Sequence, residues 1–334
     1  VNFPPSNLPS SLDIESRLKR HLHQLRQKTG TVREDYFLED SDRLKVRRRT
    51  EAYLNAVARK SGMGHLDKDD RKKLEVFRTG AELKTVETEH SADEIASALH
   101  AEMPWMAEAT ERVWQDMRAS VRNGDPAPRL RPLLLVGPPG IGKSFWARLL
   151  GDKLTVPTTV IEATGEPAAF SVTGSQRGWG SAGPGKPLEG IMASGIANPV
   201  VVVDEIEKAG IVDSNRGMRF SLSEGMLPLL ERFTAARWSC PFFRVSFDMS
   251  WITWVMTANS LSGLPVPFLS RCPPLHLSAL SAEDLKGFAT REGGRRSLPD
   301  EVIAAIDKPQ LVSLRSVVRM LDAVDQAIHR PVLH

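Results

Sequence analysis

The stretch LLLVGPPGIGKS at residues 133–144 decides the fold of this chain. Its first four residues are apolar and too few for a buried helix, so they predict a short buried strand. A loop with three glycines follows at once, and residues 145–150 continue as a helix. The loop matches the pattern G-x-x-x-x-G-K-S/T, which binds phosphate groups when a strand precedes it and a helix follows it. Its members are Gly137, Pro138, Pro139, Gly140, Ile141, Gly142, Lys143 and Ser144.

The residue types in this loop suit the phosphates of a nucleotide. Glycines allow backbone N–H groups to turn toward phosphate oxygens, and the N-terminus of the following helix adds a positive dipole end. Lys143 is placed to reach the β- and γ-phosphates, and the Ser144 hydroxyl is placed to ligate Mg²⁺. The structural alternative is a glycine-rich turn that carries Lys-Ser by chance. The strand before the loop and the helix after it favour the phosphate site, so we expect ATP and Mg²⁺ as cofactors.

Short apolar runs rich in β-branched residues recur after this first strand, with helical stretches between them. They lie at residues 133–136, 158–161, 200–203 and 252–256. Each run is too short for a core helix. Strands that alternate with helices are typical of a parallel sheet covered by helices on both faces. The sequence therefore predicts an α/β P-loop fold.

Helical patterns flank this α/β core on both sides and suggest three parts. We expect a helical N-terminal region at residues 1–90, an α/β domain at 91–278 and a small helical domain at 279–334. The capping-box pattern predicts that Ser91 and Ser281 each begin a helix. The apolar spacing of the last helix runs from residue 314 to residue 328.

An acidic pair follows the most apolar strand. The valines at residues 200–203 run directly into Asp204 and Glu205. Ligands of open α/β sheets bind at the carboxyl ends of the strands, and two carboxylates there are costly unless a cation shares the site. We expect Asp204 to hold Mg²⁺ through water and Glu205 to act as the general base that polarises the attacking water. The alternative is that the pair merely starts a solvated helix.

Composition and charge exclude several classes of protein. Among 334 residues, 41% are hydrophobic and 25% are charged, which is typical of a folded globular protein. The formal net charge of +3 is small, but residues 1–85 hold 19 Lys/Arg against 13 Asp/Glu, so the basic charge belongs to the N-terminal quarter. Two cysteines cannot form a disulfide framework, and no run approaches the length of a membrane span. We expect a cytoplasmic protein.

Four stretches together resemble the AAA+ ATPases, and in particular the ATPase module of the Lon proteases. They are GPPGIGKS, then GSQRGWGSAGPGK at residues 174–186, NPVVVVDEIEKAG at 198–210 and TANSLSGLPVPFLSRC at 257–272, in the same order as in that family. The similarity covers about two thirds of the chain, from near residue 100 onward. It implies an AAA+ core followed by a small helical lid domain.

The resemblance also implies roles for individual residues. Asn259 is similar to sensor 1, whose amide helps to position the lytic water. Arg271 is similar to the arginine finger, which in AAA+ rings reaches the γ-phosphate bound by a neighbouring subunit, although Ser270 stands where the family usually has an acidic residue. Arg315 is similar to sensor 2, which the lid carries onto the nucleotide, and Arg319 one turn later is its rival.

Two tryptophans match positions where related motors contact their substrate. Trp179 stands in the loop that faces the central pore, but the hydrophobic residue that usually follows the aromatic is replaced by Gly180. A tryptophan between glycines is free to contact something outside its own domain, and the alternative is that it folds back. Trp238 falls where a second pore loop is expected.

The resemblance implies an ATP-dependent ring, most simply a homo-hexamer, that unfolds or remodels proteins. We expect no proteolytic site of its own in this chain, so any degradation requires a separately encoded peptidase partner. A second hypothesis is an AAA+ ATPase acting on nucleic acid, because Arg47, Arg48 and Arg49 form a basic cluster. Interleaved acidic residues and scarce aromatics make nucleic acid the weaker hypothesis. A third, a nucleotide-gated scaffold with a slow ATPase, is disfavoured by Glu205.

Overall fold

A computed structural model describes the chain over eight segments. These are residues 10–28, 39–60, 62–164, 168–177, 182–209, 212–213, 219–298 and 313–329. The segment that holds Trp179 lies outside the described residues. Nine strands are found within these segments, and five of them form the main sheet.

The main sheet is parallel throughout, as the sequence predicts. Its strands are β1 (Leu133–Val136), β2 (Thr158–Glu162), β3 (Val200–Asp204), β8 (Thr253–Ala258) and β9 (Pro274–His276), in the spatial order β2-β3-β8-β1-β9. Four of these strands follow the predicted runs, whereas β9 was not predicted. Its three residues begin with proline and carry no apolar run, so their pairing depends on the neighbouring strand β1.

The short strands outside the sheet form two antiparallel pairs. They are β4 (Val212–Asp213) with β5 (Arg219–Phe220), and β6 (Trp238–Ser239) with β7 (Ser246–Phe247). Both pairs lie in sequence between β3 and β8.

Helices precede, cover and follow the sheet. They are α1 (Ser11–Lys28), α2 (Asp40–Lys60), α3 (Lys68–Leu74), α4 (Glu89–Glu102), α5 (Ala107–Arg122), α6 (Lys143–Lys153), α7 (Ala168–Thr173), α8 (Lys186–Ser194), α9 (Leu222–Leu230), α10 (Arg232–Ala235), α11 (Val266–Arg271), α12 (Ala282–Arg295) and α13 (Leu314–Ile328). Short 3₁₀ turns extend α3 and precede α5. Within the described residues, no helix is both long enough and apolar enough to cross a membrane.

The centre of the sheet is buried on both faces, because β1 and residues 200–203 of β3 are apolar at every position. In β3, Val200 and Val202 pack into one hydrophobic cluster, whereas Val201 and Val203 pack into the other. Successive side chains of a strand point to opposite faces, so a continuous apolar run serves two cores at once. The α/β fold predicted from these runs is confirmed.

The N-terminal helices share one of these cores. Leu66, Leu74 and Phe77 are almost fully buried in the same cluster as the sheet residue Val201. The Phe77 ring lies 6.1 Å from the ring of Phe247, edge to face. The division of the chain near residue 90 stays a prediction, and the shared cluster means that the two parts pack together.

One predicted helix start is wrong and another is confirmed. Helix α4 begins two residues before Ser91, and its N-cap is Thr88, whose side chain accepts a hydrogen bond from the Ser91 N–H. Threonine also caps well, so the pattern at residue 91 lay one turn too late. Ser281 does cap α12 through a capping box with Asp284.

Candidate nucleotide-binding site

The phosphate loop connects β1 to α6 and requires its glycines. Gly142 is the N-cap of α6 with a φ of +92°, and Gly140 has a φ of +80°. Only glycine adopts this left-handed backbone without cost. A Cβ added at Gly142 would lie 2.6 Å from Met103 Cε and 2.8 Å from Leu314 Cδ1. The loop is therefore packed between the end of α4 and the start of α13.

Lys143 is folded across this loop. Its Nζ donates hydrogen bonds to the carbonyls of Gly137 at 2.6 Å and Pro138 at 2.9 Å, and to Asn259 Oδ1 at 3.1 Å. Burial lowers the pKa of Lys143, and the carboxylate of Asp204 opposes that shift. A lysine held beside the loop by carbonyl oxygens is positioned to exchange them for the stronger interaction with phosphate.

The residues expected to hold Mg²⁺ are in direct contact. Ser144 Oγ donates to Asp204 Oδ1 at 2.6 Å, and Thr257 Oγ1 donates to the same oxygen. Mg²⁺ prefers oxygen ligands and is usually bound by one or two side chains together with water and phosphate. Among the described residues no cluster of three or more His, Cys, Asp or Glu could hold a metal by itself. The Ser144–Asp204 pair fits a magnesium ion that binds together with a nucleotide.

Glu205 is held next to this pair by three neighbours. Its backbone has a φ of +55°, which is uncommon for a residue other than glycine, and its N–H donates to Thr257 Oγ1 at 3.0 Å. Its Oε1 accepts a hydrogen bond from Asn259 Nδ2 at 3.3 Å and lies 2.8 Å from Lys208 Nζ. Strained backbone of this kind often marks a functional position.

Sequence reasoning missed two residues that organise this site. Thr257 bridges Asp204 and Glu205 through its single hydroxyl. Glu207 Oε1 accepts from the Asn259 N–H at 3.0 Å, whereas its buried Oε2 has no hydrogen-bond partner among the described residues. The Thr257-Ala-Asn order was visible in the sequence, but nothing in it indicated that the hydroxyl points at the acidic pair.

The lid closes the site from the other side. Leu314, at the start of α13, donates its N–H to the Gly140 carbonyl at 3.0 Å. Together the loop, the acidic pair and the lid enclose a cavity of about 520 Å³. Arg315 and Arg319 both line it, and the charge of Arg315 contributes to the lowered pKa of Lys143. The structure thus brings both sensor 2 candidates to the cavity.

Arg271 does not line this cavity. It ends α11, where its Nε lies 2.7 Å from Glu231 Oε1 and its Nη1 donates to the Pro267 carbonyl at 3.0 Å. Glu231, at the junction of α9 and α10, therefore supplies a carboxylate from another element. The acidic partner that Ser270 fails to provide is present after all.

The structure tests only one of the two predictions that place a tryptophan in a pore loop. Trp238 is only 7% exposed and belongs to the hydrophobic core, so the expectation that it lies in a second pore loop is wrong. Trp179 lies outside the described residues, but the described segment before it ends in a firm contact. Arg177 pairs with Asp67 and Asp70 of the N-terminal region and lies over the ring of Phe242.

Taken together, the geometry defines a class of protein. The chain has an α/β P-loop fold whose loop, acidic pair and C-terminal helices line one cavity. Residues 133–277 match the family model described as ATPase family associated with various cellular activities (AAA). Over these residues the chain is similar to that family, and the relatives below are Lon proteases.

Three curated relatives illustrate the similarity. The chain is 25% identical over 297 residues to Lon protease homolog 2, peroxisomal, of Spinacia oleracea, which covers 81% of this chain and 32% of that protein. It is 29% identical over 195 residues to the mitochondrial Lon protease homolog of Phaeodactylum tricornutum, covering 56% and 21%. With the Lon protease of Metamycoplasma arthritidis the identity is 27% over 210 residues, covering 59% and 25%. The chain spans about a fifth to a third of the length of these relatives.

Proposed function

We propose that this chain hydrolyses ATP with Mg²⁺ and uses the energy to unfold or remodel proteins in the pore of a homo-oligomeric ring. The observation that carries the proposal is the arrangement around Glu205. Its carboxylate is hydrogen-bonded to Asn259, whose amide oxygen in turn accepts from Lys143 of the phosphate loop. A base, an amide and a lysine in one connected group are suited to hydrolysing a terminal phosphate.

Each residue has a separate task in the proposed reaction. Lys143 and the backbone of the phosphate loop bind the β- and γ-phosphates, and Arg315 or Arg319 approaches them from the lid. Ser144 and Asp204 hold Mg²⁺, which when bound neutralises charge on the phosphates. Glu205 accepts a proton from the attacking water while Asn259 orients it. Thr257 ties the Asp204 carboxylate to the backbone N–H of Glu205 and so fixes the two residues relative to each other.

The ring is proposed because Arg271 lies away from the nucleotide cavity of its own chain. A cation at the end of α11 is of use to hydrolysis only if another copy presents its nucleotide there. Neutralising the charge of the transition state from a neighbour in this way couples hydrolysis to assembly. A hexamer is the simplest closed ring consistent with the family resemblance.

The proposed contact with substrate is Trp179, and its support is the anchorage beside it. The ion pairs of Arg177 with Asp67 and Asp70 fix the start of the loop to the N-terminal region. The basic N-terminal region is proposed to recruit substrates, directly or through an adaptor, and a peptidase is the proposed partner for any degradation.

Substitution of Trp179 tests the pore assignment. We expect Trp179→Ala to abolish ATP-dependent unfolding of a tagged fluorescent protein while ATP hydrolysis continues at close to the normal rate. Trp238→Phe is the matched control, because the structure buries Trp238 in the core. Unchanged unfolding by the Trp179→Ala protein would refute the pore assignment.

A second candidate function, action on nucleic acid, has one observation in its favour. Arg17 and Arg20 of α1 and Arg49 of α2 line the same surface cavity, with Tyr53 beside them. Three cations and an aromatic ring are the kind of surface that binds a single strand. Stimulation of hydrolysis by DNA or RNA that falls steeply with salt, with no response to unfolded protein, would replace protein remodelling by this function.

A cytoplasmic location also stays a proposal, supported by the two unpaired cysteines, Cys240 and Cys272. The relatives include proteins named for the peroxisome and the mitochondrion. Fractionation of the native source would decide between these compartments.

A further inference from the structure

A second cavity, which we call the arginine cavity, lies apart from the nucleotide site. Its volume is about 430 Å³, and it is lined by Arg112, Arg129, Arg131, Arg232, Arg271 and Trp254, together with apolar side chains. Arg112 belongs to α5, Arg129 and Arg131 to the connection before β1, Arg232 to α10 and Trp254 to β8. No residue of the phosphate loop contributes to it.

Several donors in this cavity have no acceptor. Arg112 Nε, Arg129 Nη1 and Trp254 Nε1 are buried and form no hydrogen bond within the described parts of the chain. A buried donor without a partner costs about 1 to 3 kcal/mol. All three are N–H groups from three different elements, and all three residues line one cavity. The missing partner is therefore an acceptor.

The charges lead to the same conclusion. Three arginines have carboxylate partners: Arg131 with Asp116, Arg129 with Asp125, and Arg271 with Glu231. Arg112 and Arg232 have no carboxylate within 4 Å among the described residues. Asp248 is a fourth carboxylate nearby, close enough to act on Arg129. Five cations against four anions leave the cavity positive.

The charges of Arg232 and Arg112 also act on neighbouring side chains. The Cζ atom of Arg129 lies 3.4 Å from the centre of the Trp251 ring. Burial lowers the pKa of Arg129, and the charge of Arg232 acts in the same direction. The charge of Arg112 acts on the buried thiol of Cys272, although burial still raises the pKa of that thiol to about 12. An anion in the cavity would offset the repulsion between Arg129 and Arg232.

We propose that the arginine cavity binds a phosphoryl group through Arg112, Arg129, Arg232 and Trp254. A tetrahedral oxyanion offers acceptors in several directions, which suits donors that arrive from α5, the segment before β1, α10 and β8. Guanidinium groups bind phosphate through charge-assisted hydrogen bonds. The phosphoryl group comes either from a free phosphorylated small molecule or from the nucleotide of a neighbouring copy, the latter resting on the proposed ring.

The first arm of the test detects a free ligand and does not depend on hydrolysis. The Lys143→Ala variant weakens the phosphate loop, and inorganic phosphate is titrated into it by calorimetry, with sodium chloride of equal ionic strength as the blank. We expect saturable binding. Adding Arg112→Gln or Arg232→Gln to this variant should weaken binding about tenfold or more. Arg237→Gln is the control, because Arg237 is exposed, lies between α10 and β6 and does not line the cavity.

The second arm detects the nucleotide of a neighbour. Arg112→Gln and Arg232→Gln are placed in the otherwise unchanged chain, and ATP hydrolysis is measured against protein concentration. One pair of results identifies the neighbour's nucleotide as the source of the phosphoryl group. Phosphate does not bind in the first arm, and ATPase activity no longer rises with protein concentration in Arg112→Gln and Arg232→Gln, whereas it still rises in Arg237→Gln. Because Arg232 is exposed, its variant is expected to fold even if Arg112→Gln does not.

One combination of results overturns the proposal. If inorganic phosphate does not bind and both variants behave like Arg237→Gln in hydrolysis, water alone occupies the cavity. Equal phosphate binding by all three variants overturns it too, since the anion is then held elsewhere. If the unsubstituted chain has no ATPase activity but phosphate still binds in the first arm, the proposed function is refuted and the arginine cavity remains a phosphate site.

Discussion

The nucleotide cavity and the arginine cavity differ in how their polar groups are satisfied. In the first, Lys143 has three acceptors, and the Ser144 and Thr257 hydroxyls share one oxygen of Asp204. In the second, buried N–H donors of Arg112, Arg129 and Trp254 have no acceptor. The first site is organised before its ligand arrives, whereas the second is incomplete without one.

This difference indicates where the free energy of ligand binding comes from at each cavity. A network whose members satisfy one another is rigid and costs little to keep assembled, so a ligand meets groups already in position. A set of unmatched donors costs free energy in the free protein, and a ligand recovers that cost on binding. Arg271 connects the two sites, because it lines the arginine cavity and is proposed to serve a nucleotide cavity.

The largest expected effect is therefore at Arg271. We expect Arg271→Ala to lower kcat for ATP hydrolysis by about 10³-fold or more, with little change in KM. The reason is that no cation then neutralises the negative charge of the phosphoryl group in the transition state. Steady-state hydrolysis with Arg237→Ala as the control measures this. The comparison breaks down if the two variants are equally active.

Mixing two inactive proteins tests whether Arg271 acts on a neighbour. In a mixture of Arg271→Ala and Glu205→Gln chains, the first has an intact base and the second has an intact finger. We expect the mixture to regain part of the normal rate, since an intact finger then meets an intact site. Activity that stays at the sum of the separate proteins means that Arg271 acts only within its own chain.

These expectations also show how much could be predicted from the sequence. Local sequence patterns predicted the phosphate loop, Asp204 and Glu205. The loop lies between a strand and a helix, and the acidic pair follows the end of a strand, so each is contained in a short contiguous stretch. Asn259 and Arg271 were visible only through the family resemblance. The arginine cavity was not predictable, because its residues lie on separate elements between residues 112 and 271 and meet only after folding.

The structural misses have physical reasons as well. Strand β9 forms because β1 offers it an unpaired edge, which no local pattern indicates. Thr88 rather than Ser91 caps α4, and both residue types suit that position, so the local pattern alone does not decide between them. Trp238 looked like an exposed loop residue, but pairing of β6 with β7 places it in the core.

A smaller effect, about tenfold on kcat, is expected at Thr257. Its hydroxyl both donates to Asp204 and accepts from the Glu205 N–H, so Thr257→Val removes two hydrogen bonds while keeping the shape. Because Asp204 is expected to hold Mg²⁺, the half-saturating Mg²⁺ concentration should rise too. Thr257→Ser should restore both values. Normal kinetics in the valine variant would mean that the nucleotide cavity is less tightly organised than its hydrogen bonds imply.

The smallest expected effect is on stability at Gly142. We expect Gly142→Ala to lower the free energy of unfolding by about 2 kcal/mol, because a residue with Cβ is strained at its positive φ. The Cβ also displaces Met103 and Leu314. Gly124→Ala is the matched control, since Gly124 has a φ of +69° and open space around it. Urea unfolding should give the control a smaller loss, and equal losses would show that packing against the lid is unimportant.

The central claim, that Glu205 is the base of a working ATPase site, is tested most directly by single-turnover hydrolysis with Glu205→Gln. The substituted amide keeps the size of the side chain and removes its basicity. We predict that ATP binds as tightly as to the unsubstituted chain while its hydrolysis slows by about 10² to 10⁴-fold. Hydrolysis at the unsubstituted rate, with ATP bound normally, would contradict the account.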